Sequence, residues 1–252
     1  MNKKLRLITL IALAAVVIAS CSKTKETPAN PTPQNQKSEN VLSYIKSLGF
    51  PATAIVDNGD SYVVEEDIIF PKNMVIPNGQ PKTEQFYTGS LVNATNKKNI
   101  RVKVDASMTS MNAEVTSAVD QWNAIANSSV RFSIVTTGTY DILIKDENLG
   151  NGVCGQGTFP SGGAAGNLIK INKAYIAANS FAQRQRTITH ELGHNISLRH
   201  TNWSAIGEGT ATPVPGVGGT DASSLMNGGQ CNSGATVLSA KDKQATAALY
   251  PL

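Results

Sequence analysis

All three histidines of this chain lie within one run of eleven residues, and this run limits the possible folds more than any other part of the sequence. The run reads HELGHNISLRH at residues 190–200, so its histidines are His190, His194 and His200. Residues four apart on a helix share one face, which predicts that the first two imidazoles lie one above the other. His200 is too far along a continuous helix to join them. The sequence therefore predicts a helix through His194 and a sharp turn before His200.

Imidazoles brought together in this way are typical metal ligands. Three of them can hold one Zn(II) ion at about 2.0–2.1 Å per nitrogen and leave the fourth position open. Glu191 follows the first ligand directly and cannot reach the metal in the same way, but it can reach a water molecule held there. We therefore expect His190, His194 and His200 to bind zinc and Glu191 to act as a general base.

Other residues could complete the site instead. Glu208, the last glutamate of the chain, and Asp221 in a Gly-Thr-Asp segment are alternatives to His200 as the third ligand. A closed structural site would need a fourth protein ligand, which Cys154 or Cys231 could supply. The open three-histidine site is the arrangement that we predict.

The histidine run resembles a known family of enzymes. Residues 190–201 are similar to the extended zinc motif of the metzincin metalloproteases and, among these, to the M57 "dual-action HEIGH" bacterial metallopeptidases. The resemblance implies a zinc metalloendopeptidase with an α/β (α+β) fold, in which a small twisted mixed sheet accompanies an active-site helix, a Met-turn and a C-terminal helix. Ser223–Asn227 reads SSLMN and fits the Met-turn, whose Met226 would lie beneath the metal without binding it.

The chain departs from the metzincin pattern at two positions. Ser197 stands where these enzymes usually have a glycine at the turn of the backbone. If the turn needs a positive φ, a residue other than glycine costs about 1 kcal/mol or more. Gly228 stands where some metzincins have a tyrosine two residues after the turn methionine, so no tyrosine hydroxyl is available there.

Residues 99–252 show the pattern of a mixed domain. Alternating apolar residues predict strands at 100–104, 130–134 and 142–144, and Leu168–Ile171 predicts a further short strand. Helical spacing predicts a helix over 115–125, and cap signals at Ser180 and Ser239 predict two more. This order of strands and helices predicts a mixed α/β domain over residues 99–252, which the resemblance implies is the zinc metalloprotease domain.

The N-terminal forty residues predict a signal peptide followed by a flexible tether. Residues 1–20 combine a basic start with an apolar run that is too short for a membrane span, which is typical of a signal peptide. The run ends in Ile-Ala-Ser-Cys and resembles the bacterial lipobox, which implies lipidation of Cys21 and a membrane-anchored lipoprotein in the bacterial cell envelope, at the outer membrane. Residues 21–40 are polar and predict a flexible tether.

Residues 41–98 predict a small N-terminal region that could be a pro-segment. A short helix is expected from Val41, and Tyr62–Phe70 reads as one strand that contains Glu65, Glu66 and Asp67. A carboxylate from this acidic stretch, with Asp67 as the candidate, could occupy the open zinc position and keep the enzyme latent. This is similar to the aspartate switch of some metzincins; a solvated acidic stretch is the alternative.

The two remaining cysteines, Cys154 and Cys231, are expected to form a disulfide, because an exported protein is oxidised. The formal charge of +4 falls to +1 once the signal peptide is removed, so no nucleic-acid partner is expected. Hydrophobic residues make up 40% of the chain and exclude a mostly disordered protein.

The substrate is expected to be a peptide or protein, bound by a monomer. Leu168–Ile171 is the candidate edge strand for pairing with an extended peptide, and the loop residues Phe159, Trp203 and Ala205 are candidates for a side-chain pocket. Two other functions stay open. One is a zinc-binding surface lipoprotein that recognises a partner or glycan without hydrolysis, and the other is a metallohydrolase of non-peptide substrates.

Overall fold

The structure is a computed structural model that describes residues 33–48, 50, 52–76, 86–208 and 211–252. Five α-helices are found in this part of the chain: α1 (Pro33–Ser47), α2 (Asn112–Asn123), α3 (Lys173–Ile176), α4 (Phe181–Asn195) and α5 (Ala240–Leu249). Its strands are β1 (Ile55–Asp57), β2 (Ser61–Val64), β3 (Ile68–Pro71), β4 (Phe86–Tyr87), β5 (Ile100–Val104), β6 (Phe132–Val135), β7 (Ile142–Asp146), β8 (Gly155–Thr158), β9 (Leu168–Ile171) and β10 (Thr212–Pro213). None of these helices has the length and apolar character needed to cross a bilayer.

Eight strands form one mixed sheet in the order β1-β2-β3-β8-β9-β7-β5-β6, and β4 pairs with β10 in a small second sheet. Strands β5, β6, β7 and β9 are parallel, whereas β8 runs antiparallel to β9. The mixed α/β architecture predicted from the sequence is confirmed. The N-terminal strands belong to the same sheet, because β3 pairs in parallel with β8 through Ile68–Gly157 and Ile69–Thr158.

The prediction of a single strand over Tyr62–Phe70 is wrong. The segment forms an antiparallel hairpin, in which β2 and β3 are joined by a turn at residues 65–67. Glu65 and Glu66 have φ values of 56° and 69°, which a continuous strand does not allow. The acidic residues therefore lie at the tip of a hairpin, where their side chains can project towards the rest of the fold.

The N-terminal helix is longer than expected. Helix α1 begins at Pro33, whereas the sequence predicted a tether to residue 40 and a helix from Val41. Proline is well suited to the first turn of a helix, since its missing N–H would have no partner there. Val41 and Ile45 are fully buried against the β2–β3 hairpin, in a core of their own that includes Phe70.

Leu168–Ile171 is a strand, but the prediction that it forms an edge is wrong. As β9 it lies between β7 and β8 and pairs with both. The missing neighbour is β8, whose sequence Gly-Gln-Gly-Thr has none of the alternating apolar residues that mark a strand. Strand β8 separates β9 from the N-terminal hairpin.

Helix α4 is held firmly in the main core. Its Ile188 and Leu192 side chains are fully buried, as is Ile196 just after its end. The helix packs against α2 and against strands β8 and β9. The indole N–H of Trp122 in α2 donates to the carbonyl oxygen of Thr189 at 3.0 Å, which fixes the two helices relative to each other. The opposite face of α4 carries the histidines.

Candidate metal centre

Helix α4 places the first two predicted ligands. The hydroxyl of Ser180 accepts a hydrogen bond from the backbone N–H of Gln183 and caps the helix, as the sequence predicted. His190 and His194 lie one turn apart with their ring centroids separated by 4.7 Å. Both side chains are buried, so the pair is shielded from bulk water.

The predicted sharp turn follows the helix directly. The N–H of Ser197 donates to the carbonyl of His194 at 2.9 Å, and the N–H of Leu198 donates to that of Gly193 at 3.0 Å. These two bonds form a Schellman motif, which needs a left-handed residue at the position of Ser197. The φ of Ser197 is 87°, so the serine adopts the conformation for which metzincins usually have glycine. Its hydroxyl lies 2.7 Å from that of Thr88 and partly offsets the strain.

This turn brings His200 to the first two histidines. The Nε2 atoms of His190 and His200 are 3.1 Å apart, and one nitrogen from each of the three rings belongs to a group of atoms within 4.8 Å of one another. Two nitrogens bound to one tetrahedral zinc lie about 3.3 Å apart. The Nε2 atom of His194 is buried and has no hydrogen-bond partner, as expected of an atom that is ready for a metal. The donor set therefore fits zinc.

The other ring nitrogen of each histidine is bound to the protein. Nδ1 of His190 donates to the carbonyl of Leu225 at 3.0 Å, and Nδ1 of His194 donates to that of Leu198 at 2.8 Å. A carbonyl oxygen can only accept, so the proton lies on Nδ1 and the lone pair of Nε2 is free for a metal. Burial lowers the pKa of His190 to about 3, which favours the neutral ring that a metal requires.

Glu208 is the partner of His200 rather than a ligand in its place. Its carboxylate accepts a hydrogen bond from Nδ1 of His200. Burial alone lowers the pKa of His200, but the Asp67 and Glu208 carboxylates raise it well above its usual value. The other alternative ligand, Asp221, accepts bonds from the N–H and hydroxyl of Ser223 and is outside the histidine cluster.

Glu191 lies against strand β8, at two glycines that leave it room. A Cβ atom at Gly155 would come within 2.7 Å of Glu191 Oε1, and one at Gly157 within 3.1 Å of Oε2. Oε2 is buried without a hydrogen-bond partner. Burial and the neighbouring Asp67 carboxylate raise the pKa of Glu191 well above its usual value. A buried titratable group with a shifted pKa beside a histidine cluster is typical of a functional site.

Met226, expected beneath the metal, is buried and packs against the helix that carries His190 and His194. A Cβ at Gly193 would meet its sulfur at 2.4 Å, so the helix has a glycine where the methionine packs. The turn is fixed by Asp242 of α5, which accepts hydrogen bonds from the hydroxyl of Ser224 and from the N–H of Leu225.

Gly228 packs directly against His200. A Cβ at this position would lie 2.7–2.8 Å from three atoms of the imidazole ring. A tyrosine at this position would therefore collide with the third histidine.

Asp67 reaches the histidines from the tip of the β2–β3 hairpin. Its Oδ2 atom lies 2.8 Å from Nε2 of His200, 3.8 Å from that of His190 and 3.9 Å from that of His194. Burial alone would raise the pKa of Asp67, but the attraction of His200 and of the other two rings holds it well below its usual range. Asp67 is therefore an ionised oxygen donor beside all three imidazoles.

The other predicted residues fall in different places. Cys154 and Cys231 form the expected disulfide. Phe159 is buried, and its ring meets that of His194 edge-on at 5.4 Å. Trp203 packs edge-on against Phe86, and Ala205 is exposed in the same short 3₁₀ helix, Trp203–Ile206. Cys21 lies outside the described residues.

Sequence reasoning missed the glycines of β8. Gly155 and Gly157 alternate along the strand, and this spacing places both of them on the face that meets Glu191. That spacing was the only local sign that a bulky group packs there.

A family described as "Dual-action HEIGH metallo-peptidase" matches residues 58–248 of this chain. The match covers the histidine run, the Met-turn and the β2–β3 hairpin. No curated protein sequence matches the chain.

Several solved structures are similar. A structure of myroilysin has 18% identity, covers 64% of this chain and 98% of its own, and gives a TM-score of 0.45. A crystal structure of myroilysin has 17% identity, covers 80% of this chain and 96% of its own, and gives a TM-score of 0.43. High choriolytic enzyme 1 is a hatching enzyme zinc-protease from the medaka fish Oryzias latipes. It has 14% identity, covers 64% of this chain and 93% of its own, and gives a TM-score of 0.43.

Proposed function

This chain belongs to the dual-action HEIGH metallopeptidase family, and we propose that it is an endopeptidase whose zinc is held by His190, His194 and His200. We propose separately, from the lipobox-like sequence that ends at Cys21, that it is lipid-anchored in the bacterial envelope. Zinc-dependent peptide hydrolysis is the activity of the family. The observation that supports these ligands is the convergence of the three imidazoles, each with its Nδ1 atom bound to the protein.

Zinc bound there would act as a Lewis acid that lowers the pKa of a water molecule and polarises the substrate carbonyl. Glu191 would accept a proton from the attacking water and deliver it to the amine of the departing peptide.

Strand β8 is our candidate for the strand that binds the substrate. It passes directly over Glu191 and would be the edge of the sheet if β3 were absent. An extended peptide can add to such an edge through its backbone. In the structure β3 already occupies this edge, through its pairing with Gly157 and Thr158.

Replacing Glu191 by Gln tests the mechanism. The Glu191→Gln variant should bind one equivalent of zinc and lose at least about 100-fold in the turnover of casein, the contribution typical of a general base. Glu147→Gln is a matched control, because Glu147 forms ion pairs with Lys145 and Lys170 on neighbouring strands of the sheet and does not line the cavity beside Glu191. Cleavage by Glu191→Gln at the wild-type rate would exclude this mechanism. Retained zinc without cleavage by either the wild type or the Asp67→Ala variant would favour the non-hydrolytic lipoprotein.

We also propose that the hairpin containing Asp67 keeps the full chain latent. The Oδ2 atom beside all three Nε2 atoms would compete with water for the open zinc position. Asp67→Ala should raise the activity of the full chain, whereas Glu66→Ala, an exposed neighbour on the same turn, should not. Equal activity of Asp67→Ala and the wild type would contradict latency.

Membrane attachment is proposed on the lipobox-like sequence that ends at Cys21. The full precursor should partition with membranes after expression in a bacterium, and Cys21→Ser should move it to the soluble fraction. An unchanged distribution of the Cys21→Ser variant would contradict lipidation at this residue.

A further inference from the structure

A cavity of about 140 Å³ opens next to Glu191. Helix α4 forms one wall, and the approach to β8 at residues 152–155 forms another. The segment 227–231 after the Met-turn and the acidic tip at residues 65–67 close the other sides. A side chain on a peptide held at β8 could enter this cavity.

The arginine of this cavity is unusual. Arg186 lies one turn before His190 on α4 and is only 4% exposed. Its Nη2 atom donates to the carbonyl of Asn227 at 2.9 Å and has longer contacts with the Leu225 carbonyl and with Gln230 Oε1. Its Nε atom is buried without a partner. Within the described part of the chain, no carboxylate lies close enough to Arg186 to form an ion pair.

A buried cation without a counter-ion is costly. Burial lowers the pKa of Arg186 to about 10, against weaker attractions from Glu191 and Asp242, so the guanidinium stays charged at neutral pH. Buried charges in proteins are normally paired or bound to a ligand. The cation therefore has the capacity to bind an anion that the described residues do not provide.

The opposite wall indicates which anion fits. The tip of the hairpin brings three consecutive acidic residues to the same cavity, Glu65, Glu66 and Asp67. Asp67 reaches the histidines and Glu65 faces His200, whereas Glu66 remains exposed. The site thus already holds the carboxylate of one peptide segment, that of Asp67, against the three imidazoles.

We propose that Arg186 forms a subsite for the carboxylate of an aspartate or glutamate next to the scissile bond, so that the substrates are acidic peptides. This proposal rests on the proposed function, since it assigns a specificity to that same site. An Arg–carboxylate pair in a buried cavity combines charge with directed hydrogen bonds, which favours Asp over the nearly isosteric Asn.

The first experiment compares two fluorogenic peptides that differ only in Asp or Asn at each position around the scissile bond. The wild-type chain should favour Asp by roughly 10- to 100-fold in kcat/KM at one position, the range of a hydrogen bond to a charged group. Arg186→Gln should bring this ratio close to one while it still cleaves the Asn peptide. Arg186→Lys keeps the charge and should show an Asp-to-Asn ratio of kcat/KM between those of the wild type and the Gln variant. This second variant still tests the proposal if Arg186→Gln proves unstable.

The matched control is Arg131→Gln. Arg131 also donates to backbone carbonyls, those of Ser128 and Val130, but it does not line the cavity. The Arg131→Gln variant should leave the Asp-to-Asn ratio of kcat/KM unchanged. A ratio that is the same in the wild type and in both Arg186 variants would overturn the proposal and leave Arg186 as a brace of the Met-turn.

The second experiment needs no turnover. Calorimetry measures the binding of N-acetyl-aspartate N-methylamide and its asparagine analogue to the full chain. The aspartate probe should bind more tightly to the wild type, and Arg186→Gln should remove the difference; equal binding of the two probes to the wild type would overturn the proposal. If neither the wild type nor the Asp67→Ala variant cleaves any peptide, the endopeptidase assignment fails, but this binding comparison still decides the role of Arg186.

Discussion

Substitution of Gly228 by alanine should displace the third zinc ligand. The added Cβ would lie 2.7 Å from Nδ1 and 2.8 Å from Cε1 and Cγ of His200. Carbon atoms normally pack at about 3.5–4.0 Å, so one of the two groups must move by roughly 0.7–1.2 Å. The ring cannot move freely, because Glu208 binds one of its nitrogens and Asp67 lies against the other.

The size of the expected loss in zinc affinity follows from the narrow range of zinc–ligand distances that a metal site tolerates. Zinc–ligand distances hold within about 0.2 Å, which is several times smaller than the required shift. Even mutations that only disturb the orientation of a ligand cost about 10- to 100-fold in metal affinity. We therefore expect Gly228→Ala to weaken zinc binding by at least this factor, with an added strain of about 1–3 kcal/mol.

A competition titration with a chelating dye measures this affinity, and a thermal melt measures stability in parallel. Gly229→Ala is the control next to it: its φ is +71°, so alanine strains the backbone, but the nearest atom is 3.7 Å away and belongs to Ile206. This variant should lose stability and keep its zinc affinity. If Gly228→Ala binds zinc as tightly as the wild type, the packing of His200 is not what holds the ligand in place.

Three further outcomes are expected. Glu208→Ala should weaken zinc binding by about 10- to 100-fold, because Nδ1 of His200 loses its acceptor; an unchanged affinity would contradict this role. Ser197→Ala should lower the free energy of unfolding by about 1 kcal/mol, because it keeps the φ of 87° and loses the hydrogen bond to Thr88. Ser197→Gly relieves the backbone strain and should therefore lower the free energy of unfolding by less. A urea titration that gives the reverse order of the two variants would refute this reasoning. Replacing Cys154 and Cys231 by serine opens a loop of 77 residues and should cost up to about 4 kcal/mol by the same measurement, while no loss would show that the disulfide does not stabilise the fold.

The elements with strong periodicity could be predicted from the sequence. Strands β5, β6, β7 and β9 and helices α2, α4 and α5 lie where alternation, helical spacing and capping residues placed them. Strand β8 could not be found in this way, because its residues are selected to leave space for Glu191 and not to fill a core. The prediction that β9 is an edge strand was wrong for the same reason, since β8, the neighbour that pairs with it, was not recognised.

The hairpin at residues 61–71 shows a different limit. Its two strands are both apolar and only three acidic residues separate them, so the segment reads as one strand until the positive φ values of Glu65 and Glu66 are known. The prediction of Asp67 as a ligand candidate depended on a resemblance, and the structure places its carboxylate beside the histidines by means of this turn.

The histidine motif fixed the chemistry of the site, but not its surroundings. The spacing within residues 190–200 identified the three imidazoles and Glu191. Glu208 was considered only as a competing ligand, because nothing in the sequence distinguishes a ligand from the group that orients one. Arg186 carries no local signal at all, since its meaning depends on being buried beside a cavity without a carboxylate partner.

X-ray absorption spectroscopy of the zinc-loaded chain tests the central claim most directly, because it counts the atoms bound to the metal. We expect three imidazole nitrogens and one oxygen at about 2.0–2.1 Å, with one zinc per chain. Since the chain has only His190, His194 and His200, three imidazoles on one ion would place all its histidines in one site. A spectrum with sulfur in the coordination shell, or with two imidazoles only, would contradict the account.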